Sequence, residues 1–233
     1  METVVKDAKT GLSGFEAAAL CVGRAVLWLV AGVVGWFALA RVAKRFITLP
    51  APAFIGGLLD TPFRRALQPP EEVLAPMGVA PGMTVLEVGP GPGTYTIEAA
   101  RRASPGGRVI AVDLQQGMVD RLCRKIRRLG VTGIEPRLAD AYHLPLPDES
   151  VDVAFMVTAL AEIPDPRRAL VEVRRVLRPG GVLGVSEFFP DPDYPRRKTV
   201  RRWALDAGFL PRSEDGGWLW YVLTFSKPGH SGG

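Results

Sequence analysis

The 233-residue sequence is poor in the side chains that build metal centres and covalent cross-links. Its two cysteines, Cys21 and Cys123, stand far apart with no partner motif, which excludes a disulfide framework and a cysteine-rich metal site. Histidine is as scarce, at His143 and His230 only, so no zinc or other metal is expected. No Gly-Lys-Ser/Thr ends a glycine-rich loop, which excludes a P-loop. No internal repeat is present. Acids are the minority charge, 24 against 29 Lys and Arg, for a net charge of +5. A basic balance favours phospholipid or nucleic acid as neighbours, or equally a solvated basic surface. At this length the chain holds one substantial core with a little extra at one end.

What the chain has in excess is apolarity near its start. From Ala17 to Ala40 the sequence is broken only by Arg24. About 24 residues span roughly 36 Å as a helix, enough for a bilayer core of about 30 Å. Arg24 lies near one end, where a long side chain can snorkel to the headgroups. Ala38-Leu39-Ala40 has the look of a signal-peptidase site, but Arg41, Lys44 and Arg45 follow at once. With Arg64 and Arg65 they outweigh Lys6 and Lys9 upstream, which keeps the C-terminal side cytoplasmic. The expectation is a tail over 1–16 and a single-pass transmembrane helix over 17–40. A buried core helix is the alternative, though all-round apolarity suits it poorly.

Residues 41–80 read as a juxtamembrane linker and a cap helix. Pro50, Pro52, Gly56, Gly57 and Pro62 prevent one long helix, and Phe54, Ile55, Leu58, Leu59 and Phe63 form an apolar cluster. Pro69-Pro70-Glu71-Glu72 opens a helix that should end near Gly78. Pro81-Gly82 then turns into a first strand, Thr84 to Val88, read as buried on both faces of a parallel sheet. It runs into Gly89-Pro90-Gly91-Pro92-Gly93 and a helix over Tyr95–Arg102. Glycines there allow a tight turn and close approach of a ligand to main-chain N–H groups. Glu87 is a carboxylate where a buried strand should hold an apolar residue, and ligands of open α/β sheets bind at such strand ends.

The pattern repeats. A second strand, Arg108–Asp113, ends in an acid, and the helix Gln115–Leu129 follows. A third strand near Ile134–Leu138 runs into Ala139-Asp140-Ala141. Strand four spans Val151–Val157, and Asp165-Pro166 caps a helix that ends at Arg178-Pro179-Gly180-Gly181. Strand five is Val182–Phe188, followed by a helix over about Arg196–Ala207. A closing hairpin joins Leu210–Glu214 to Trp218–Phe225 through Asp215-Gly216-Gly217.

An acid followed by G-x-G-x-G, then Asp113, Ala139-Asp140, the Leu177–Gly181 turn and the closing hairpin, in that order, resembles the class I S-adenosylmethionine-dependent methyltransferases. The resemblance covers roughly Glu71 to Lys227. It is nearest to the ubiquinone/menaquinone-biosynthesis C-methyltransferase-like (type 11/25-like) branch. It implies an α/β, Rossmann-like, mostly parallel seven-stranded sheet in order 3-2-1-4-5-7-6, with only strand seven antiparallel. The methyltransferase domain is placed at 81–228, with a disordered tail at 229–233.

The same resemblance assigns roles. Gly89, Gly91 and Gly93 would present backbone to the methionine moiety of S-adenosylmethionine, with Glu87 near its amino group. Asp113 would hold the ribose hydroxyls, Leu114 would pack on the adenine, and Asp140 and the Ala141 N–H would bind its edge. Acids suit a cationic, hydroxyl- and amine-rich ligand without phosphates. His143 and Glu187 are the candidate catalytic groups, though a locally bonded loop histidine is the plainer reading of the first. Thr158 and Glu162 are candidate substrate contacts near the end of strand four. The stretch Thr158–Glu162 departs from the quinone-pathway pattern, which puts that substrate in doubt. Phe54 and Leu58 are candidate acceptor contacts if the apolar cluster is a lid rather than packing.

The expected function is a membrane-anchored methyltransferase acting on a lipophilic or small-molecule acceptor. A nucleic-acid methyltransferase using Arg196, Arg197, Lys198, Arg201 and Arg202 on phosphates is the alternative. Against it, the chain lacks an Asn/Asp-Pro-Pro-Tyr/Phe motif and a Pro-Cys, so the basic stretch is read as facing solvent or anionic lipid. A non-catalytic cofactor-binding module is the third reading, disfavoured by intact Glu87, Asp113 and Asp140.

Overall fold

The computed structural model describes residues 20–29, 31, 32, 35, 39, 61–189, 191 and 193–229. The chain divides into two units, 1–46 and 47–233. In the first, the described residues are helical and leave Val22, Val26, Leu27, Trp28 and Leu29 exposed. Among the described residues no helix is long and apolar enough to cross a membrane. The expected transmembrane helix over 17–40 is therefore not supported by the described residues, of which 20–29, 31, 32, 35 and 39 are helical. The rest of the N-terminal tail, the linker over 41–60, Phe54 and Leu58 lie outside the described residues.

The second unit begins with two short helices, α1 (Pro62–Leu67) and α2 (Pro70–Leu74). Thr61 caps α1 by accepting from the Arg64 N–H, with Pro62 at the first helical position. A 3₁₀ turn over Ala75–Met77 extends α2, and Gly78 ends it in the left-handed conformation. Elements then alternate as β1 (Thr84–Val88), α3 (Thr94–Ala103), β2 (Arg108–Asp113), α4 (Gln116–Leu129), β3 (Ile134–Leu138) and β4 (Val151–Val157). They continue with α5 (Pro166–Val176), β5 (Leu177–Phe188), α6 (Arg197–Asp206), β6 (Leu210–Gly216) and β7 (Trp220–Ser226). The seven strands form one sheet in order β3-β2-β1-β4-β5-β7-β6. β7 is antiparallel to both its neighbours, and the other pairings are parallel.

Alternation along the strands feeds a core on each face. Leu86, Ile110, Met156 and Val185 pack with Leu170, Val173 and Ala204 of α5 and α6. Val85, Val109 and Phe155 pack with Val73, Leu74 and Ala99 of α2 and α3. Two boundaries differ from the sequence reading. β5 begins at Leu177, because Arg178–Gly181, with Gly180 left-handed at a φ of 77°, forms a bulge in the pairing with β4 while Gly180 and Gly181 exchange hydrogen bonds with Lys227. The hairpin strand runs through Gly216, which pairs with Tyr221. Phe63, expected in an apolar cluster, is 72% exposed.

Candidate active site

Period-two alternation puts Glu87 on the same face as Val85, beneath α3. Its register partners are Ala111 of β2 and Phe155 of β4, so the carboxyl sits in the middle of the sheet. Glu87 is 1% exposed, and its Oε2 has no hydrogen-bond partner. Burial pushes its pKa up to about 8, and the nearby Asp113 carboxylate adds to the rise. Thr96 and Lys125 pull the other way, yet Thr96 Oγ1 is itself a buried atom without a partner. An orphaned buried carboxyl of this kind is costly unless a ligand completes it.

The loop after β1 is built from three left-handed glycines, with φ of 74° at Gly89, 50° at Gly91 and 79° at Gly93. Their reasons differ. A Cβ on Gly89 would lie 2.6 Å from the Ala159 Cβ, and one on Gly93 would lie 2.3 Å from Leu122 Cδ1. A Cβ on Gly91 would meet nothing within 4 Å. Gly89 and Gly93 are therefore required by packing as well as by φ, and only Gly91 borders open space. Lys125 of α4 ties the loop down by donating to the Pro92 carbonyl at 3.0 Å.

Asp113 ends β2 on the same face as Glu87. It accepts from the Gln115 N–H at 2.9 Å, and the Gly91 and Leu114 N–H groups also favour its charged form. Burial outweighs them, and its pKa is raised. Leu114 is 63% exposed, free to lie against a flat ligand. Asp140 repeats the same local device, accepting from the Tyr142 N–H at 2.9 Å. Glu87, Gly91 and Asp113 are thus brought together, with Leu114 adjoining them in the chain. These acids and the open approach at Gly91 fit S-adenosylmethionine, which offers an ammonium and ribose hydroxyls and carries no phosphate.

The two candidate catalytic groups stand in different settings. His143 is exposed, with Arg168 Nη2 3.3 Å from its Nε2 and Asp140 Oδ2 3.8 Å from its Nδ1. Glu187 is buried near the end of β5, and its Oε1 has no partner. Burial pushes its pKa well up, and Asp191, Asp193 and Glu162 push the same way while Arg64 opposes them. Thr158 and Glu162 do converge here, as β4 leaves the sheet beside β5.

Around these groups lies a polar network that sequence reasoning missed. Arg64 of α1 forks onto both Asp191 carboxylate oxygens, at 3.3 and 3.1 Å, and donates to Thr158 Oγ1 at 3.1 Å. Its guanidinium also stacks 4.8 Å from the centroid of Phe188. Gln68 donates to Ser186 Oγ at 3.0 Å and accepts from the Tyr95 hydroxyl at 2.9 Å. Burial raises the pKa of that hydroxyl, so it stays protonated. Thr158 holds φ at 52°, a left-handed conformation that a β-branched residue adopts only under constraint. In the sequence Arg64 reads as one of the juxtamembrane charges, and the Thr61-Pro62 cap of α1 is its only local signal.

Residues 86–185 match the methyltransferase-domain family. An uncharacterized 37.1 kDa protein from a Streptomyces fradiae transposon is 33% identical over 198 residues, covering 73% of this chain and 56% of its own length. The ubiquinone/menaquinone biosynthesis C-methyltransferase of Enterobacter sp. is 38% identical over 112 residues, covering 48% of this chain and 45% of its own. A crystal structure of a SAM-dependent methyltransferase from Aquifex aeolicus superposes with a TM-score of 0.73 at 29% identity, covering 76% of this chain and 100% of that one. The chain therefore spans about half the length of these two curated relatives, 56% and 45%.

Proposed function

The chain carries a class I S-adenosylmethionine-dependent methyltransferase domain of the ubiquinone/menaquinone C-methyltransferase-like branch, and on that premise we propose that it methylates a small-molecule acceptor held at the carboxyl ends of β4 and β5. The observation that carries this reading is the buried, unpartnered Glu87 carboxyl beside Asp113 and the open backbone at Gly91. When bound, S-adenosylmethionine supplies a methyl group already activated on a sulfonium. The chain's own work is then alignment and exclusion of water. Glu87 takes the ammonium, Asp113 the ribose hydroxyls, and Leu114, Asp140 and Ala141 the adenine. Gly89 and Gly93 hold the loop in shape.

On the acceptor side, Arg64 ties Thr158 to Asp191 at the strand ends, and Tyr95, Gln68 and Ser186 form a buried hydrogen-bonded chain. Glu187, kept neutral by burial, is a hydrogen-bond donor toward an acceptor and not a resting base. His143 is the weaker candidate, since it stands exposed between Asp140 and Arg168. A base is needed only for an acceptor that arrives protonated.

The lipophilic nature of the acceptor and the membrane anchor belong to the same proposal. Their support is the apolar run 17–40, the exposed apolar side chains of the helical stretch 20–29, and the quinone pathway named for a relative. The anchor would place the methyltransferase domain on the cytoplasmic side. Labelled methyl offered on the cofactor should enter fractionated membrane lipid; label confined to soluble extract would refute the lipophilic acceptor. Full-length protein should stay with membranes through salt and carbonate washes, and release by salt alone would mean a peripheral protein.

A further inference from the structure

A concavity lies apart from the cofactor loop, where the chain leaves β5 and where the β6–β7 hairpin turns. It is a shallow, open groove of about 590 Å³ lined by Tyr194, Arg196, Arg197, Lys198, Gly217 and Trp218. Trp218 is 78% exposed and Phe189 43% exposed, an unusual amount of aromatic surface to leave in water. The two rings meet edge to face, with centroids 6.2 Å apart, and Phe189 meets Tyr194 in the same way at 5.6 Å. Arg197 is committed to the turn itself: it reaches the Gly217 carbonyl and Glu214 and lies over the Tyr221 ring. Arg196 and Lys198 are exposed, and among the described residues no hydrogen bond or ion pair engages their side chains.

We propose that the Phe189–Trp218 aromatic surface, flanked by Arg196 and Lys198, docks on the headgroup region of an anionic phospholipid bilayer. Amphipathic rings settle at the level of the headgroups, and free basic side chains beside them are drawn to anionic lipid. The chemistry of the patch separates this occupant from single-stranded nucleic acid, which needs aromatic faces laid open for successive bases. Here the rings are turned into one another at 74° and 66°. The exposed apolar residues of the first unit put further lipid-compatible surface on the same chain. The segment after β5 links the two sites of the domain. Asp191 holds Arg64 over the strand ends, and three residues on, Tyr194 lines the groove. Docking there would put the acceptor side of the fold close to the lipid surface.

The test uses the full chain with phosphatidylcholine vesicles, with and without phosphatidylglycerol, whose acyl chains are brominated to quench indole fluorescence. Because other tryptophans are present, the readout is the difference between wild type and Trp218→Phe, which isolates Trp218 whether or not the first unit holds the protein on the vesicle. Trp218-dependent quenching is expected with phosphatidylglycerol. It should be lost in phosphatidylcholine alone, at high salt, and in Arg196→Glu/Lys198→Glu. Retained S-adenosylhomocysteine binding and an unchanged circular dichroism spectrum serve as controls for folding in each variant. Absence of a Trp218-dependent signal on anionic vesicles overturns the proposal. Equal quenching on neutral vesicles, unaffected by the charge reversals, overturns the electrostatic part. A Trp218 response to single-stranded oligonucleotide and not to vesicles assigns the groove to nucleic acid instead.

Discussion

The two halves of the sheet end in polar groups that are held in opposite ways. On β2 and β3, Asp113 and Asp140 accept from the N–H two residues further on, so each carboxylate is positioned by its own turn. On β4 and β5, Thr158 and Ser186 are bonded by Arg64 and Gln68, 94 and 118 residues away in the chain. The cofactor half is thus assembled locally and needs little beyond strand, glycine loop and acid. The acceptor half exists only once α1 has packed across the sheet. Such a division lets the acceptor side change with the segment before β1 while the cofactor side stays fixed.

The largest expected effect separates the two buried acids by pH. Glu87 has its folded pKa raised to about 8 from 4.5, so its protonated form favours the ligand-free fold. That stability is fully present below about pH 4.5 and is lost as pH rises through about 8, a change on the order of 5 kcal/mol. Glu187 is shifted in the same direction and adds to the slope. Urea unfolding across this range should show stability falling with pH, with Glu87→Gln and Glu187→Gln each removing part of the fall. The cofactor reverses the sign for Glu87 alone. An ammonium ligand favours the carboxylate, so S-adenosylhomocysteine affinity should climb by up to about tenfold per pH unit toward pH 8. Glu87→Gln should flatten that climb and Glu187→Gln should leave it. Equal flattening by both would erase the distinction between the halves.

What the sequence made legible follows the same division. The glycine loop and the acids of the cofactor half are legible because each is set within a few residues of chain, whereas the strand order and the orientation of β7, which pair residues such as Val85 with Val153 and Val182 with Ser226, come from the resemblance alone. Glu187 stood out as an acid after a buried strand, and it is buried as that position implies. Arg64, Gln68, Tyr95 and Asp191 were not legible as one group. Arg64, one of two adjacent arginines in Pro62-Phe63-Arg64-Arg65, carries no mark of a partner 127 residues away. The bulge that lengthens β5 was hidden for a related reason. Arg178-Pro179-Gly180-Gly181 reads as a turn, but Gly180 donates to the Lys227 carbonyl and Lys227 to the Gly181 carbonyl, which keep it in the sheet.

Two substitutions of intermediate effect test the division by binding. Asp113→Ala should weaken S-adenosylhomocysteine by about 1.5–3 kcal/mol, the range for hydrogen bonds to a charged group, as read by titration calorimetry. Arg64→Met should leave that affinity within about 0.5 kcal/mol, since separate sites are close to additive. Its cost should fall on stability, about 1–2 kcal/mol for the lost bonds to Asp191 and Thr158. If Arg64→Met weakens cofactor binding as much as Asp113→Ala does, the two halves are one coupled site.

The smallest effect is the sharpest probe of how the acceptor half is held. Thr158 combines a left-handed backbone with a hydroxyl that accepts from Arg64. The conformation costs about 1–2 kcal/mol for a residue bearing a Cβ, and glycine would escape that cost at an entropic loss of about 0.5–1 kcal/mol. Either small replacement forfeits the bond to the guanidinium, so Thr158→Ala should destabilise by about 1 kcal/mol. Thr158→Gly loses the same bond but relieves the strain, and should lie about 0.5–1 kcal/mol above Thr158→Ala in urea unfolding. That ordering says the packed acceptor side forces the backbone into place against its preference, whereas Asp113 and Asp140 rest in turns their own sequence favours. Should Thr158→Gly prove less stable than Thr158→Ala, the left-handed turn is no burden, and the acceptor half is as locally determined as the cofactor half.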